Sequence, residues 1–121
     1  MRAEQGIGAA ILQTFAGEDA NIIINWLHDH TAAGALVAEL SDGKIRLVQG
    51  GVSNPTDIEQ MMKAADDLGG IDILVNNAAV FPRVKFLEIT ANDWVGLMAI
   101  KLRTAFLASQ AACKRMVEAG R

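Results

Sequence analysis

Between Gly69-Gly70 and Asn76-Asn77 the chain reads Ile71-Asp72-Ile73-Leu74-Val75, an apolar stretch too short to make a helix of its own. A run of this kind marks a strand that is buried on both faces, as in a parallel sheet covered by helices. The two asparagines then stand where the strand would end, the side of an open α/β sheet on which ligands bind. Two more such runs come earlier. Asn21 to Asn25 carries Ile22, Ile23 and Ile24, β-branched throughout, and Ile45 to Val48 reads as the next strand.

Between these runs the apolar residues change to helical spacing. Ile7, Ile11 and Phe15 recur every four residues and mark a helix that stops near Gly17. A loop is expected from Trp26 to Thr31, then a second helix through Ala33, Leu36, Val37 and Leu40, closed by Asp42-Gly43. Asn54 followed by Pro55 reads as an N-cap with proline in the first turn, where Asp57 and Glu59 complement the helix dipole. Ile58, Met61, Met62, Ala65 and Leu68 form its buried stripe, and Gly69-Gly70 ends it. After a loop around Pro82, Thr90 and Asp93 make a capping box for a long helix over about 91–119. Trp94, Leu97, Met98, Leu102, Ala105, Phe106, Ser109, Ala112, Cys113 and Met116 follow one broad stripe along it. The order α, β, α, β, α, β, α predicts a single α/β domain over residues 1–121.

The totals narrow the partners. With 121 residues and 51% hydrophobic content, the chain can bury one core. A net charge of −3 supplies no basic field for a phosphate backbone, which argues against nucleic acid. The one cysteine, Cys113, precludes an intrachain disulfide and fits a reducing compartment. No apolar run approaches the roughly 18 residues of a membrane span. A cytoplasmic protein is expected. His28, Asp29 and His30 alternate like ligands, but with no fourth partner they read as solvated loop residues, and no metal site is assigned. Trp94 and the methionines fall at core spacings and need no cofactor to explain them.

The run Ile71 to Val80, IDILVNNAAV, resembles the Asn-Asn-Ala-Gly segment of the short-chain dehydrogenase/reductase family, with Ala79 where the glycine usually stands. Gly6-Ile7-Gly8 resembles the end of that family's Thr-Gly-x-x-x-Gly-Ile-Gly fingerprint. Ile100 to Phe106 resembles its Val-Asn-Leu-x-x-x-Phe segment, Lys101 replacing the asparagine. The resemblance covers nearly the whole chain. It implies a partial Rossmann-like doubly wound parallel sheet built from the family's strands two, three and four. Closure of Ile71–Val75 against Ile22–Ile24 would give the order 3-2-4.

The resemblance further implies NAD or NADP as cofactor and an alcohol or carbonyl substrate. Its cofactor-binding positions fall on Gly6, Ile7 and Gly8 at the pyrophosphate, Val52 at the adenine, and Asn76, Ala78 and Ala79 along the cleft. Several departures accompany these matches. Met1 and Arg2 occupy the fingerprint's threonine and glycine, Gly51 occupies the adenine-contacting aspartate, and Trp26 and Leu27 stand where a ribose-binding acid is usual. The family's catalytic serine and Tyr-x-x-x-Lys have no counterparts, and the chain contains no tyrosine at all. No catalytic residue is therefore assigned. The expectation is a family member truncated at both ends and inactive as an isolated chain. The alternative is a non-catalytic remnant, vestigial or engaged with another protein. Self-association through exposed sheet edges and the long helix is also expected.

Overall fold

The computed structural model describes residues 6–27, 30–40, 45–77 and 84–121. Helix α1 spans Ile7–Gly17, strand β1 Ile22–Trp26, helix α2 His30–Glu39, strand β2 Ile45–Gln49 and helix α3 Pro55–Asp66. A short 3₁₀ turn at Phe86–Glu88 leads into a helical run composed of α4 (Ala91–Met98), a π segment (Ala99–Arg103) and α5 (Thr104–Glu118). β1 and β2 are parallel, in register from Ile22 against Ile45 to Trp26 against Gln49.

The side chains of the two strands separate the core into two layers. Ile22 and Ile24 meet Leu12 and Phe15 of α1, with Val37, Ile45 and Leu47 packed around them. Val48 joins the other cluster, where Ile58, Met61 and Met62 of α3 meet Ala112 of α5. Adjacent residues of β2 thus point to opposite layers, as the pleat requires. This is why the β-branched runs are nearly continuous: both faces of the sheet are covered.

Local chemistry fixes the helix ends as the sequence indicates. The Asn54 side chain accepts the Thr56 N–H at 3.0 Å, with Pro55 opening α3. Thr90 and Asp93 form a complete capping box at α4. The Thr90 hydroxyl and N–H both donate to Asp93 Oδ2, at 2.6 and 2.9 Å, and these bonds hold the Asp93 carboxyl below the usual carboxylate range. Between α3 and α5, the half-buried Arg115 guanidinium bridges Glu59 at 2.6 Å and Asp66 at 3.1 Å. Its hydrogen bond to Glu59 raises its affinity for the proton.

Two expectations need correction. The order 3-2-4 does not form: the sheet of the described residues has two strands, β1 and β2, and residues 71–77 run alongside without pairing. Packing explains this. Ile71 and Leu74 lie in the α3/α5 cluster, and Arg121 holds the start of the segment through Asp72 at 3.1 Å and the Gly69 carbonyl at 2.9 Å. The segment is therefore docked on α3 and α5 rather than on β1, and a cavity of about 520 Å³ separates the two. Ile73 is left 61% exposed.

The broad stripe of the long helix also splits. Thr104, Ala108 and Ala112 are buried, whereas Trp94, Leu102 and Phe106 are 59%, 64% and 60% exposed. The π segment adds a residue to one turn and rotates the apolar positions on either side of it relative to each other. Small side chains at four-residue spacing take the inner face and allow α5 to approach α3, which leaves the large ones outside.

Two outcomes follow from these contacts. A Cβ at Gly50 would lie 2.8 Å from Asp57 Cβ, so Gly50→Ala will lower stability in denaturant titrations. Gly17→Ala, with nothing within 4 Å of its Cβ, will be neutral or stabilising by about 0.4–1 kcal/mol. The capping box carries a pH dependence of known sign. Because the Asp93 pKa is depressed in the folded state, its stabilisation is present above the unfolded carboxylate value of about 4 and is lost as pH falls through the depressed one. Amide protection at the start of α4 will fall over that acid range, and Thr90→Ala, which loses the hydroxyl but keeps the main-chain N–H, will weaken the dependence.

Candidate functional site

The N-terminus of α1 is built to receive an anion. Gly6 sits at φ 68°, ψ −138°, a conformation open to glycine, and starts the helix abruptly with no side-chain cap. No acidic residue stands in the first turn, and Ala10 supplies the first helical bond, to Gly6 O at 3.2 Å. The N–H groups of the first turn therefore point outward with the positive end of the helix dipole behind them. A backbone cradle of this kind suits a phosphate.

The ends of the strands are locked by side-chain amides. Asn25, on β1, donates from Nδ2 to the Gly50 carbonyl at 2.7 Å and the Val48 carbonyl at 3.4 Å. These bonds clamp the turn after β2. Gly51 N–H donates to Asp57 Oδ2 at 2.7 Å, so the same turn is fastened to the first helical turn of α3. Val52, held between these ties, packs half-buried against the α3 cluster. At the end of the unpaired segment, Asn76 Nδ2 donates to Ser109 Oγ on α5 at 3.0 Å. Lys101 lies half-buried in the π segment, and the buried Thr104 hydroxyl donates to the Ile100 carbonyl one turn back. π segments recur at functional sites because they re-aim side chains.

The structure brings Gly8, Val52, Asn76 and Lys101 to the walls of one cavity, with Asn25 and Asn77 beside them. Gly6 stands at the helix start, and Ile7 is 74% exposed. Ala78 and Ala79 lie outside the described residues, as do Arg2, His28 and Asp29. Among the described residues no group of three His, Cys, Asp or Glu could hold a metal ion, and no helix is long and apolar enough to cross a membrane. Sequence reasoning missed Asn25 and Asp57. The signal for Asn25 was a polar residue at the end of an all-apolar strand, a position that calls for a hydrogen-bonding partner.

The residues present fit part of a dinucleotide. A pyrophosphate matches the α1 N-terminus, and Asn76 and Asn77 give a polar wall at the strand end. At the end of β1 the described residues are Trp26 and Leu27, which supply no carboxylate for a ribose. The phosphate grip fits, whereas the sugar-reading group is absent among the described residues.

A family model described as enoyl-(acyl carrier protein) reductase matches residues 2–121. The chain belongs to the short-chain dehydrogenase/reductase family. It is similar to a 3-oxoacyl-[acyl-carrier-protein] reductase of Synechocystis sp., 32% identical over 119 residues that make up 96% of this chain and 48% of that one. Among solved structures, a short chain dehydrogenase from Bacillus anthracis superposes with a TM-score of 0.88 at 31% identity, covering 98% of this chain and 48% of that one. A short chain dehydrogenase from Burkholderia cenocepacia J2315, in complex with NADP, gives 0.82 at 30% identity, covering 94% and 48%. The chain thus spans about half the length of the curated relatives it matches. Its α/β architecture is the corresponding part of the family's Rossmann fold.

The Asn25 clamp can be tested separately from any ligand. Asn25→Ala will cost roughly 1–2 kcal/mol in denaturant titrations, since the Val48 and Gly50 carbonyls lose a shared donor. Asn25→Asp, which offers those carbonyls only acceptors, will cost at least as much despite its matching size.

Proposed function

We propose that this chain is the nucleotide-side portion of a short-chain oxidoreductase, whose intact relatives transfer hydride between NAD(P) and an alcohol or carbonyl, and that the 121-residue chain alone does not turn over. The observation that carries this reading is the family match over residues 2–121 in a chain without a tyrosine. In the family resemblance a tyrosine hydroxyl passes the proton while nicotinamide passes hydride, and no side chain here can take that part. Ser109 does not replace the family's serine. It lies within α5 and accepts a hydrogen bond from Asn76.

The proposed cofactor contacts are main-chain N–H groups of Gly6, Ile7 and Gly8 at the pyrophosphate, Val52 against the adenine, and Asn76, Ala78 and Ala79 along the cleft. When bound, NAD(P) would supply the hydride chemistry. This chain's residues would supply its grip. NADP in the Burkholderia relative supports the choice of ligand class, and the uncapped, acid-free start of α1 supports the phosphate contact. Lys101, in place of the family's asparagine, puts a cation where a water-bound lysine would be supported, which also favours an inactive chain.

A second reading is a non-catalytic remnant that meets another protein or itself. The exposed Trp94, Leu102 and Phe106 favour it, because large side chains left in water on one helical run are characteristic of contact surfaces. One pair of measurements separates the two readings. Millimolar NADP⁺ or NAD⁺ will raise the unfolding temperature of the purified chain, and no NAD(P)H will be consumed with carbonyl substrates. Turnover would overturn the assignment of inactivity, and an unmoved unfolding temperature would transfer the chain to the remnant reading.

A further inference from the structure

Asn76 stands near the end of a segment that no strand holds. Among the described residues, 71–77 pair with neither β1 nor β2, so no ladder fixes the side chains there. Other contacts bring the segment to α5. Leu74, two residues before Asn76, packs into the cluster of α3 and α5. The Val75 carbonyl accepts the Asn77 N–H at 3.1 Å, a three-residue turn centred on Asn76. The main chain of Asn76 is thereby set, and its carboxamide is tied separately: Nδ2 donates to Ser109 Oγ at 3.0 Å, an ordinary length for such a bond.

Ser109 is a firm anchor. Its neighbours on α5, Ala108 and Ala112, are buried at 8% and 1% exposure, because small side chains let α5 approach α3. Arg115 then joins the two helices through Glu59 and Asp66. Ser109 lies half-buried beside these contacts, so its hydroxyl occupies a set place on a fixed helix. A serine within a helix can give its own proton to the carbonyl one turn back while its lone pairs still accept. That polarity suits the bond from Asn76.

The bond also decides which end of the carboxamide is presented. The group is planar, with nitrogen and oxygen on opposite sides of the terminal carbon, so anchoring Nδ2 on α5 turns Oδ1 away from α5. Asn76 lines the cavity and Ser109 does not, which puts the anchor behind the wall. No other described residue bonds the Asn76 carboxamide. An untethered asparagine would offer either end and would lose rotamer freedom on binding.

Resting on the nucleotide reading above, we propose that Ser109 is a positioning residue: it holds the Asn76 carboxamide with its oxygen toward the cleft, where it meets a hydroxyl or N–H group of the nucleotide and not a phosphate. Ser109 touches no ligand itself. Its contribution is to order Asn76 before binding, and that contribution resides in the hydroxyl.

Ser109→Thr and Ser109→Val isolate the hydroxyl, because the two side chains share a branched shape and differ in hydroxyl against methyl. Ser109→Ala raises helix propensity, so any loss of affinity it causes cannot come from a weaker helix. Each chain is titrated with NADP⁺, NAD⁺ and inorganic pyrophosphate, and the Asn76 side-chain amide signals are followed by NMR without ligand. Dinucleotide affinity will fall roughly three- to tenfold in Ser109→Ala and Ser109→Val, the span of one hydrogen bond, and stay within about twofold in Ser109→Thr. Pyrophosphate, which has no donor for Oδ1, will show no such dependence. The bonded Nδ2 proton of Asn76 will resonate away from the free-asparagine position in the unsubstituted chain and in Ser109→Thr, and return to it in the other two. Equal dinucleotide affinity in all four chains, equal losses in Ser109→Thr and Ser109→Val, an equal loss for pyrophosphate, or Asn76 signals indifferent to the hydroxyl would each overturn the proposal and leave the nucleotide reading standing. Failure of the unsubstituted chain to bind either dinucleotide would instead overturn that reading, and this proposal with it.

Discussion

Main-chain pairing is the constraint on which the rest of this molecule turns. A parallel strand is stable only when its donors and acceptors are met from the side and both of its faces are covered, and here the two requirements come apart. β1 and β2 have both. Residues 71–77 have only the second, and in part: Ile71 and Leu74 are packed on α3 and α5, yet among the described residues the backbone pairs with no strand and Ile73 is exposed. Side-chain burial alone did not draw this segment into the sheet. Contacts at Asp72, Gly69 and Leu68 anchor its start beside α3, at a distance from β1 that neither element closes.

That arrangement explains how a partial sheet can still resemble complete proteins so closely. A TM-score of 0.88 over 98% of the chain means that α1, β1, β2, α3 and the long helix keep the positions they hold in the Bacillus structure. The ties responsible are polar and mostly local. Asn25 holds the turn after β2, Asp57 fastens that turn to α3, and Arg115 fixes α5 on α3 through two carboxylates. The surface ion pairs are worth little individually, but Arg115 is half-buried and engages both partners at once, a geometry in which a shared side chain is ordered once for two contacts.

What the sequence disclosed follows this division between local and non-local physics. Caps and helix starts were legible because they are written in neighbouring residues: Asn54 with Pro55, Thr90 with Asp93, Gly6 before Ile7. The family could be read from IDILVNNAAV for the same reason. Sheet order could not, because whether Ile71–Val75 pairs with β1 depends on contacts from Asn21 and Arg121, 50 residues away on either side. The inner face of the long helix was likewise misjudged, since the π segment at Ala99–Arg103 has no sequence signature and rotates the stripe that hydropathy alone would keep straight. Of the candidate site, Gly8, Val52, Asn76 and Lys101 do converge, while Asn25 escaped notice because its role is to hold backbone rather than to touch a ligand.

The convergence itself bears on how the proposed nucleotide site is supported. Gly8 and Asn76 both line the cavity, so residues proposed for the cofactor come from α1 and from the segment 71–77. In an open α/β sheet a ligand rests on the C-terminal ends of strands, and its phosphate grip is only as rigid as the strand that leads into the helix. Among the described residues the α1 N-terminus keeps its outward N–H groups and dipole with no side-chain cap over them. Asn76, bonded to Ser109 instead of to a neighbouring strand, is held by a side chain on a single exposed contact.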